Sequence, residues 1–247
     1  MKTQRFNRKV IISGSEVEYY TYKSKMQVRG YKRRKRKAKK VKTKEEKENP
    51  EKTKFAVNRA RTQIRRLESA NSDFDKFLTL TSKMTDFTKA SRAFNLFTQK
   101  MKARFPEFSY LAVPEFQKDI DFFGKVKPDG GALHYHVVCK LPYIKNKTLE
   151  KIWGKGFVKI EAIKKNSKLG SYLCKYLQKE MFDKRMFGKK KYFCSQNIKR
   201  PVEIIGDDSR WFMRKNPALK FKSKMPFDNK YTGKVIYKRF GLKNITA

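Results

Sequence analysis

The chain has 247 residues, of which 63 are Lys or Arg and 23 are Asp or Glu, so its formal net charge is +40. Hydrophobic residues make up 38% of it and include 20 Phe, which excludes a wholly disordered chain. Because no long apolar run and no apolar signal segment occur, we expect a cytoplasmic protein without a membrane partner. A charge of this size predicts a polyanionic partner, and nucleic acid is the first candidate.

The first 52 residues combine a predicted hairpin with a basic arm. Two β-favouring runs flank Gly14 and Ser15, a pattern typical of two paired strands. The arm that follows is highly charged and has almost nothing to bury, so we expect it either to bind DNA or to be a solvated linker. Its candidate DNA-binding residues are Lys32, Arg33, Arg34, Lys35 and Arg36.

A basic helix is predicted from Phe55 to Ala70. Its apolar positions include Ile64 and Leu67, and they are interspersed with arginines. An arginine-rich helix face is suited to phosphate contacts. The candidate phosphate-binding residues are Arg59, Arg61, Arg65 and Arg66.

Beyond residue 73 the patterning changes to alternating strands and amphipathic helices. Strands are predicted at 77–81, 109–117, 132–141 and 156–163, and helices at 85–105, 146–153 and 167–181. This order predicts an α+β domain whose antiparallel sheet has helices packed on one face and a polar, exposed opposite face. We therefore expect an N-terminal hairpin and arm at 1–52, a main domain at 53–205 and a C-terminal extension at 206–247. In the extension only one late strand, KVIYKRF, is predicted.

The two histidines of the chain, His134 and His136, lie two residues apart on one predicted strand. They therefore share a face of the sheet and are roughly 6–7 Å apart along it, close enough to bind one ion. Glu115, or alternatively Gln117, lies on the neighbouring predicted strand and offers an oxygen ligand. Histidines with a carboxylate and open coordination positions favour Mg²⁺ or Mn²⁺ over a closed structural zinc site.

Two tyrosines, Tyr172 and Tyr176, lie one turn apart on the last predicted helix of the main domain, and each is followed three residues later by a lysine, Lys175 or Lys179. A tyrosine that attacks a phosphodiester keeps the bond energy in a phosphotyrosine, so the cleaved strand can later be rejoined. The lysines are candidates for holding the phosphate or favouring the phenolate. Alternatively, the tyrosines belong to the apolar face of an ordinary amphipathic helix.

Taken together and in this order, the motifs resemble those of the HUH endonucleases, in particular the rolling-circle replication initiators (Rep proteins) of bacterial plasmids and phages. FLTLT (77–81) resembles the first motif of that family, HYH (134–136) its metal motif and YLCKYLQK (172–179) its Tyr-x-x-Lys motif, here in two copies. The resemblance implies a ferredoxin-like sheet, Glu115 as third metal ligand, nicking of single-stranded origin DNA in a bacterial cytoplasm, a covalent 5′-phosphotyrosine and a free 3′-OH.

The chain lacks the G-x-x-x-x-G-K-[ST] motif of a P-loop. We therefore expect a separate helicase, from the host or the mobile element, and a separate DNA polymerase as partners. Two alternatives stay open: an HUH relaxase or transposase of a mobile element, and a non-catalytic basic nucleic-acid-binding protein.

Overall fold

In a computed structural model of the protein, the described residues are 4–28, 50–120, 123–163, 172–176, 183–229 and 232–242. They form an α+β structure with two five-stranded antiparallel sheets. The chain divides into two compact units. The terminal unit comprises Met1–Val41 and Lys199–Ala247, and the central unit comprises Lys42–Ile198.

The regular elements follow one another in this order. The strands are β1 Gln4–Ser13, β2 Glu16–Val28, β3 Lys76–Leu80, β4 Ser109–Phe116, β5 Leu133–Lys140, β6 Val158–Ala162, β7 Phe193–Cys194, β8 Val202–Ile205, β9 Lys220–Asn229 and β10 Gly233–Gly241. The α-helices with both ends described are α1 Pro50–Ala70, α2 Phe87–Arg104, α3 Asn146–Trp153 and α4 Asp207–Lys215. Residues 172–176 are also helical and are called the tyrosine helix here, and a 3₁₀ turn spans Lys184–Met186.

The sheet of the terminal unit has the strand order β8-β1-β2-β10-β9. The predicted hairpin is confirmed, because β1 and β2 pair antiparallel on either side of Gly14 and Ser15. β2 pairs on its other side with β10, so that Tyr20 lies opposite Tyr237. The two ends of the sequence therefore build one sheet. The basic arm at 32–36 lies outside the described residues, and the three-segment boundaries drawn from the sequence remain a prediction.

The sheet of the central unit has the strand order β6-β3-β5-β4-β7. One of its faces carries alternate apolar side chains and is covered by α2 and α3, as the sequence predicts. The start of α2 is fixed by Asp86, whose carboxylate accepts a hydrogen bond of 2.7 Å from the backbone N–H of Lys89. The end of α3 is fixed by Gly154, which has a φ of 60° and continues the chain in the left-handed conformation. The core on this face includes Leu78, Leu80, Phe94, Phe97, Leu133, Tyr135, Val137 and Trp153.

The opposite face of this sheet is not uniformly polar and exposed, so the prediction that helices pack on one face only is wrong. A second buried cluster joins α1 and the tyrosine helix to the strands. It contains Val57, Ala60, Ile64, Leu67, Phe77, Leu111, Val113, Val138 and Leu173. The physical reason is that β4 and β5 are apolar at consecutive positions and not only at alternate ones, which indicates burial on both faces.

Pro114 lies within β4 although proline cannot donate a hydrogen bond to a neighbouring strand. β7, the outer neighbour of β4, pairs only with Leu111 and Ala112. Beyond that point β4 has no outer neighbour among the described residues, so Pro114 occupies an edge position. The strand therefore continues through Pro114 and places Glu115 in register with β5.

Candidate active site

Both histidines project from the face of the central sheet that α1 partly covers. In the strand register, Glu115 of β4 lies directly opposite His134 of β5, and Thr79 of β3 lies directly opposite His136. Directly opposed residues share a face, so the structure brings the predicted carboxylate and the two histidines together. Gln117, the alternative ligand, is exposed, and only its backbone carbonyl has a described contact, with Arg185.

His136 and Glu115 are hydrogen-bonded to each other. Nε2 of His136 lies 2.7 Å from Oε2 of Glu115, and the two side chains are only 8% and 12% exposed. A carboxylate accepts, so His136 donates from Nε2, and its Nδ1 is then an acceptor. Within the described residues this buried Nδ1 has no hydrogen-bond partner. One imidazole nitrogen is thus fixed by Glu115 while the other lacks a protein partner.

His134 is held neutral by its surroundings. Burial lowers its pKa from 6.5 to about 4, and the nearby His136 and Lys127 act in the same direction, while the Glu115 carboxylate opposes them. Neutral imidazole is the form that binds a metal ion. His134 is therefore available as a ligand at neutral pH without losing a proton.

The tyrosine helix lies over this pair of side chains. The ring of Tyr176 stacks on the ring of His136 with 3.5 Å between centroids and an interplanar angle of 11°. Tyr172 contacts Phe77 of β3 edge-on, with 5.2 Å between ring centroids. Leu173 is fully buried in the second core and anchors the helix. The apolar packing therefore aims both phenols at the histidine face.

The two phenol groups contact each other. The hydroxyl of Tyr176 donates to the hydroxyl of Tyr172 over 2.8 Å. Burial raises the pKa of Tyr176, and the hydrogen bond to Tyr172 adds to that rise. Tyr172 is 40% exposed, and Nζ of Lys175 lies 5.8 Å from the centre of its ring. Lys175 itself is exposed, and Lys179 lies outside the described residues.

Comparison with known families assigns the part of the chain that holds this arrangement. Residues 75–181 match the family model of the replication-associated protein ORF2. This segment belongs to that Rep family. The Rep segment contains Glu115, both histidines and both tyrosines, and it covers fewer than half of the 247 residues. No curated protein sequence and no solved structure matches the chain.

In the Rep segment, the side chains do not form a ready-made metal cluster. Among the described residues of the whole chain, no group of three or more His, Cys, Asp or Glu side chains is arranged around a common point. The direct hydrogen bond between His136 and Glu115 closes the space between these two side chains.

Just outside the Rep segment, Arg185 holds the ends of the strands that carry the candidate ligands. Its guanidinium donates to Asp183 over 2.7 Å and to Asp119 over 2.8 Å. It also donates to the backbone carbonyls of Gly131 and Gln117, over 3.2 and 3.4 Å. The sequence analysis missed Arg185, since nothing local distinguishes it among so many cations.

The position of Arg185 relative to the strands follows from two further contacts. Its guanidinium carbon lies 4.3 Å from the centre of the Phe116 ring, next in sequence to Glu115. A side chain at Gly131 would bring its Cβ to 1.8 Å from the carbonyl oxygen of Gln117, so only glycine allows the two backbones to approach this closely. Arg185 and Gly131 thus hold the end of β4 against the start of β5.

Of the predicted phosphate-binding arginines, all four lie on α1. Arg59 and Arg65 are exposed, and Arg61 and Arg66 are half-buried. Arg61 and Arg65 line an open cleft together with Cys174 of the tyrosine helix. Within the described residues, no helix is both long enough and apolar enough to cross a bilayer.

Proposed function

We propose that the protein initiates rolling-circle DNA replication by nicking and rejoining single-stranded origin DNA through a covalent phosphotyrosine. The observation that carries the proposal is the contact between Tyr176 and His136 within the Rep segment. It places a nucleophile of the kind used for reversible strand cleavage over two histidines and a carboxylate. The ferredoxin-like arrangement implied by the sequence resemblance is part of this proposal.

The proposed step exchanges one phosphate ester for another. The tyrosine oxygen forms a bond to phosphorus and the bond between phosphorus and the 3′ oxygen breaks. The phenol loses its proton and the departing 3′ oxygen gains one, so charge and protons balance. The DNA is left with a 5′-phosphotyrosine and a free 3′-OH, which a DNA polymerase can extend. A later attack by the 3′-OH reverses the step and releases the tyrosine.

A divalent ion, Mg²⁺ or Mn²⁺, is proposed to be held by His134, His136 and Glu115. The donor set supports this, because neutral imidazole and carboxylate are suitable ligands and His136 has a buried nitrogen without a described partner. The nitrogen of His136 and the oxygen of Glu115 are 2.7 Å apart, close to the separation of about 3 Å between adjacent ligands of a small octahedral ion. When bound, such an ion would polarise the scissile phosphate.

The remaining residues have proposed roles in positioning the nucleophile. We assign the first attack to Tyr176, since its ring is fixed on His136, and the second to Tyr172, one hydrogen bond away. The raised pKa of Tyr176 means that the phenol is protonated in the DNA-free protein. Cations must therefore favour the phenolate once DNA is bound, and Lys175 and Lys179 are proposed for this role.

The alternatives account for less of the site. A non-catalytic nucleic-acid binder explains the net charge of +40 but not a tyrosine stacked on a histidine that is bonded to a buried carboxylate. A relaxase or transposase would use the same chemistry in DNA transfer. A replication role is favoured because the matching family is described as replication-associated.

The proposal is tested by incubating the protein with labelled single-stranded origin DNA and Mn²⁺, and separating products under denaturing conditions. A covalent adduct whose label maps to residues 172–176 supports it. Tight DNA binding without any adduct, over a series of origin strands and with either ion, would leave the non-catalytic alternative.

A further inference from the structure

The sheet of the terminal unit segregates charge between its two faces. Along the strand register, the glutamates of β1's neighbours, Glu16 and Glu18 on β2 and Glu203 on β8, share one face with Ile11. Each of them is neutralised or hydrogen-bonded there. Glu16 pairs with Lys222 and Arg239, Glu18 accepts from the hydroxyl of Tyr237 over 2.7 Å, and Glu203 pairs with Lys9 over 3.3 Å.

The opposite face of the same sheet carries cations that are not neutralised. The basic residues that the register places on it are Arg8, Lys23, Lys224, Lys234 and Lys238. Within the described residues none of these five forms an ion pair, and Asp228 is the single acidic strand residue on this face. The whole described terminal unit has 16 Lys and Arg against 6 Asp and Glu, so the excess is not offset nearby.

Two of these lysines are placed directly against each other. Lys238 of β10 lies opposite Lys224 of β9. Like charges at directly opposed positions destabilise a sheet. Lysines on an edge strand such as β9 protect it against aggregation. That explanation does not extend to Lys238, because β10 lies between β2 and β9. The pair therefore has a cost in the unbound protein that an anion would remove.

Aromatic side chains adjoin the opposed lysines on this face. Phe221 and Phe240 form the next cross-strand pair toward the end of the sheet, with 5.8 Å between their ring centroids. Phe221 is 55% exposed, although an apolar ring of this size is normally buried. Tyr19 lies opposite Lys238 on the other side. Cations next to exposed rings are the combination that binds unpaired nucleotides, with phosphates on lysine and bases on the ring.

We propose that this face of the terminal unit is a second nucleic-acid site, which binds a single strand through Lys224, Lys238 and Phe221. The site lies outside the Rep segment and does not depend on the tyrosine chemistry. Its sheet-face position and its exposed ring favour single-stranded nucleic acid over duplex, whose bases are already stacked.

The test uses the full chain in a chelating buffer, so that cleavage does not affect the measurement. In the double variant Lys224→Gln/Lys238→Gln, we expect the affinity for a labelled single strand to fall about tenfold at low salt. We also expect the slope of log affinity against log salt to decrease by about 1.4, the value for two lost phosphate contacts. Lys89→Gln/Lys100→Gln, on exposed positions of α2, removes the same charge and should leave both quantities close to wild type.

Two further readouts separate a binding site from a structural feature. Because the opposed lysines repel each other, Lys224→Gln alone should raise the melting temperature while it weakens binding. Phe221→Ala should weaken binding to a single strand and leave the salt slope unchanged. Unchanged affinity in both lysine and phenylalanine variants would overturn the proposal. An equal loss for duplex DNA of the same sequence would overturn its assignment to single strands.

Discussion

The ring of Tyr176 lies flat on the ring of His136, with 3.5 Å between their centroids, and this contact joins the tyrosine helix to the histidine strand. The two residues are 40 positions apart in sequence, and the second apolar core brings them together. Because His136 is also bonded to Glu115, movement of any one of these side chains affects the other two. The position of the proposed nucleophile is therefore coupled to the proposed ligands before DNA binds.

The two tyrosines can be distinguished by single Tyr→Phe changes. Each change removes the same 2.8 Å hydrogen bond between the phenols and keeps the ring, so each variant is the structural control for the other. We expect Tyr176→Phe to reduce the first adduct by roughly tenfold or more and Tyr172→Phe mainly to impair rejoining. Adduct formation on labelled single-stranded DNA measures the first effect, and strand transfer to a second oligonucleotide measures the other. A Tyr172→Phe variant with normal rejoining would show that one tyrosine is enough.

The local elements around this site were predictable from sequence because each is set by neighbouring residues. The helix start at Asp86, the helix end at Gly154 and the strand that carries both histidines all follow from capping, glycine conformation and alternation. The contact between Tyr176 and His136 was not predicted, since it depends on how α1 and the tyrosine helix pack. A signal for that packing was available in the consecutive apolar residues of β4, which indicate a strand buried on both faces.

The architecture of the terminal unit lay beyond local patterns. β9 alternates lysines with apolar residues and is exposed at every position, so no buried stripe marks it as a strand. Its pairing with β10, and that of β10 with β2, is a long-range choice that the hydrophobic period alone does not specify. Arg185 was missed for the same reason, because its partners come from distant segments.

Removal of the His136 nitrogens should abolish cleavage without abolishing DNA binding. His136→Phe keeps a ring under Tyr176 and removes the proposed ligand, so packing is largely preserved. We expect Mn²⁺ affinity, measured calorimetrically, to fall by about 10-fold or more and the covalent adduct to disappear. A chelator should have the same effect on the wild-type protein. Full adduct formation by His136→Phe, or by the wild type in excess chelator, would refute the metal assignment.

Acid should destabilise the protein through His134. The pKa of His134 is about 4 in the folded chain and 6.5 in the unfolded chain, so below pH 6.5 the unfolded state binds the proton more readily. Stability attributable to this group is complete above pH 6.5 and is lost as the pH falls toward 4. After allowance for solvent screening, we expect about 1 kcal/mol less free energy of unfolding at pH 5 than at pH 7.5.

Denaturant titrations of the wild type and of His134→Gln, in chelating buffer at both pH values, measure this contribution. Glutamine does not titrate, so the variant should lose less stability between the two pH values than the wild type. Equal losses in the two proteins would mean that His134 titrates normally in the folded state.

Arg185 should influence the proposed metal site without touching it. Its guanidinium donates to Asp119, Asp183 and two backbone carbonyls, and its stacking on Phe116 fixes the strand end next to Glu115. Arg185→Lys keeps the charge, but a single ammonium cannot make this fan of hydrogen bonds. We expect Mn²⁺ affinity to fall by about 3- to 10-fold, with the rate of adduct formation restored at saturating Mn²⁺.

The matched control for that change is Arg104→Lys, because Arg104 also lies near a phenylalanine ring, 5.8 Å from the centre of Phe105, at the exposed end of α2. It should leave the Mn²⁺ dependence unchanged. A positioning role for Arg185 predicts that only the ion concentration needed for half-maximal rate shifts, because the chemical groups at the site are all retained. If Arg185→Lys instead lowered the rate at saturating Mn²⁺ to the same extent, Arg185 would act on bound DNA and not through the ends of β4 and β5.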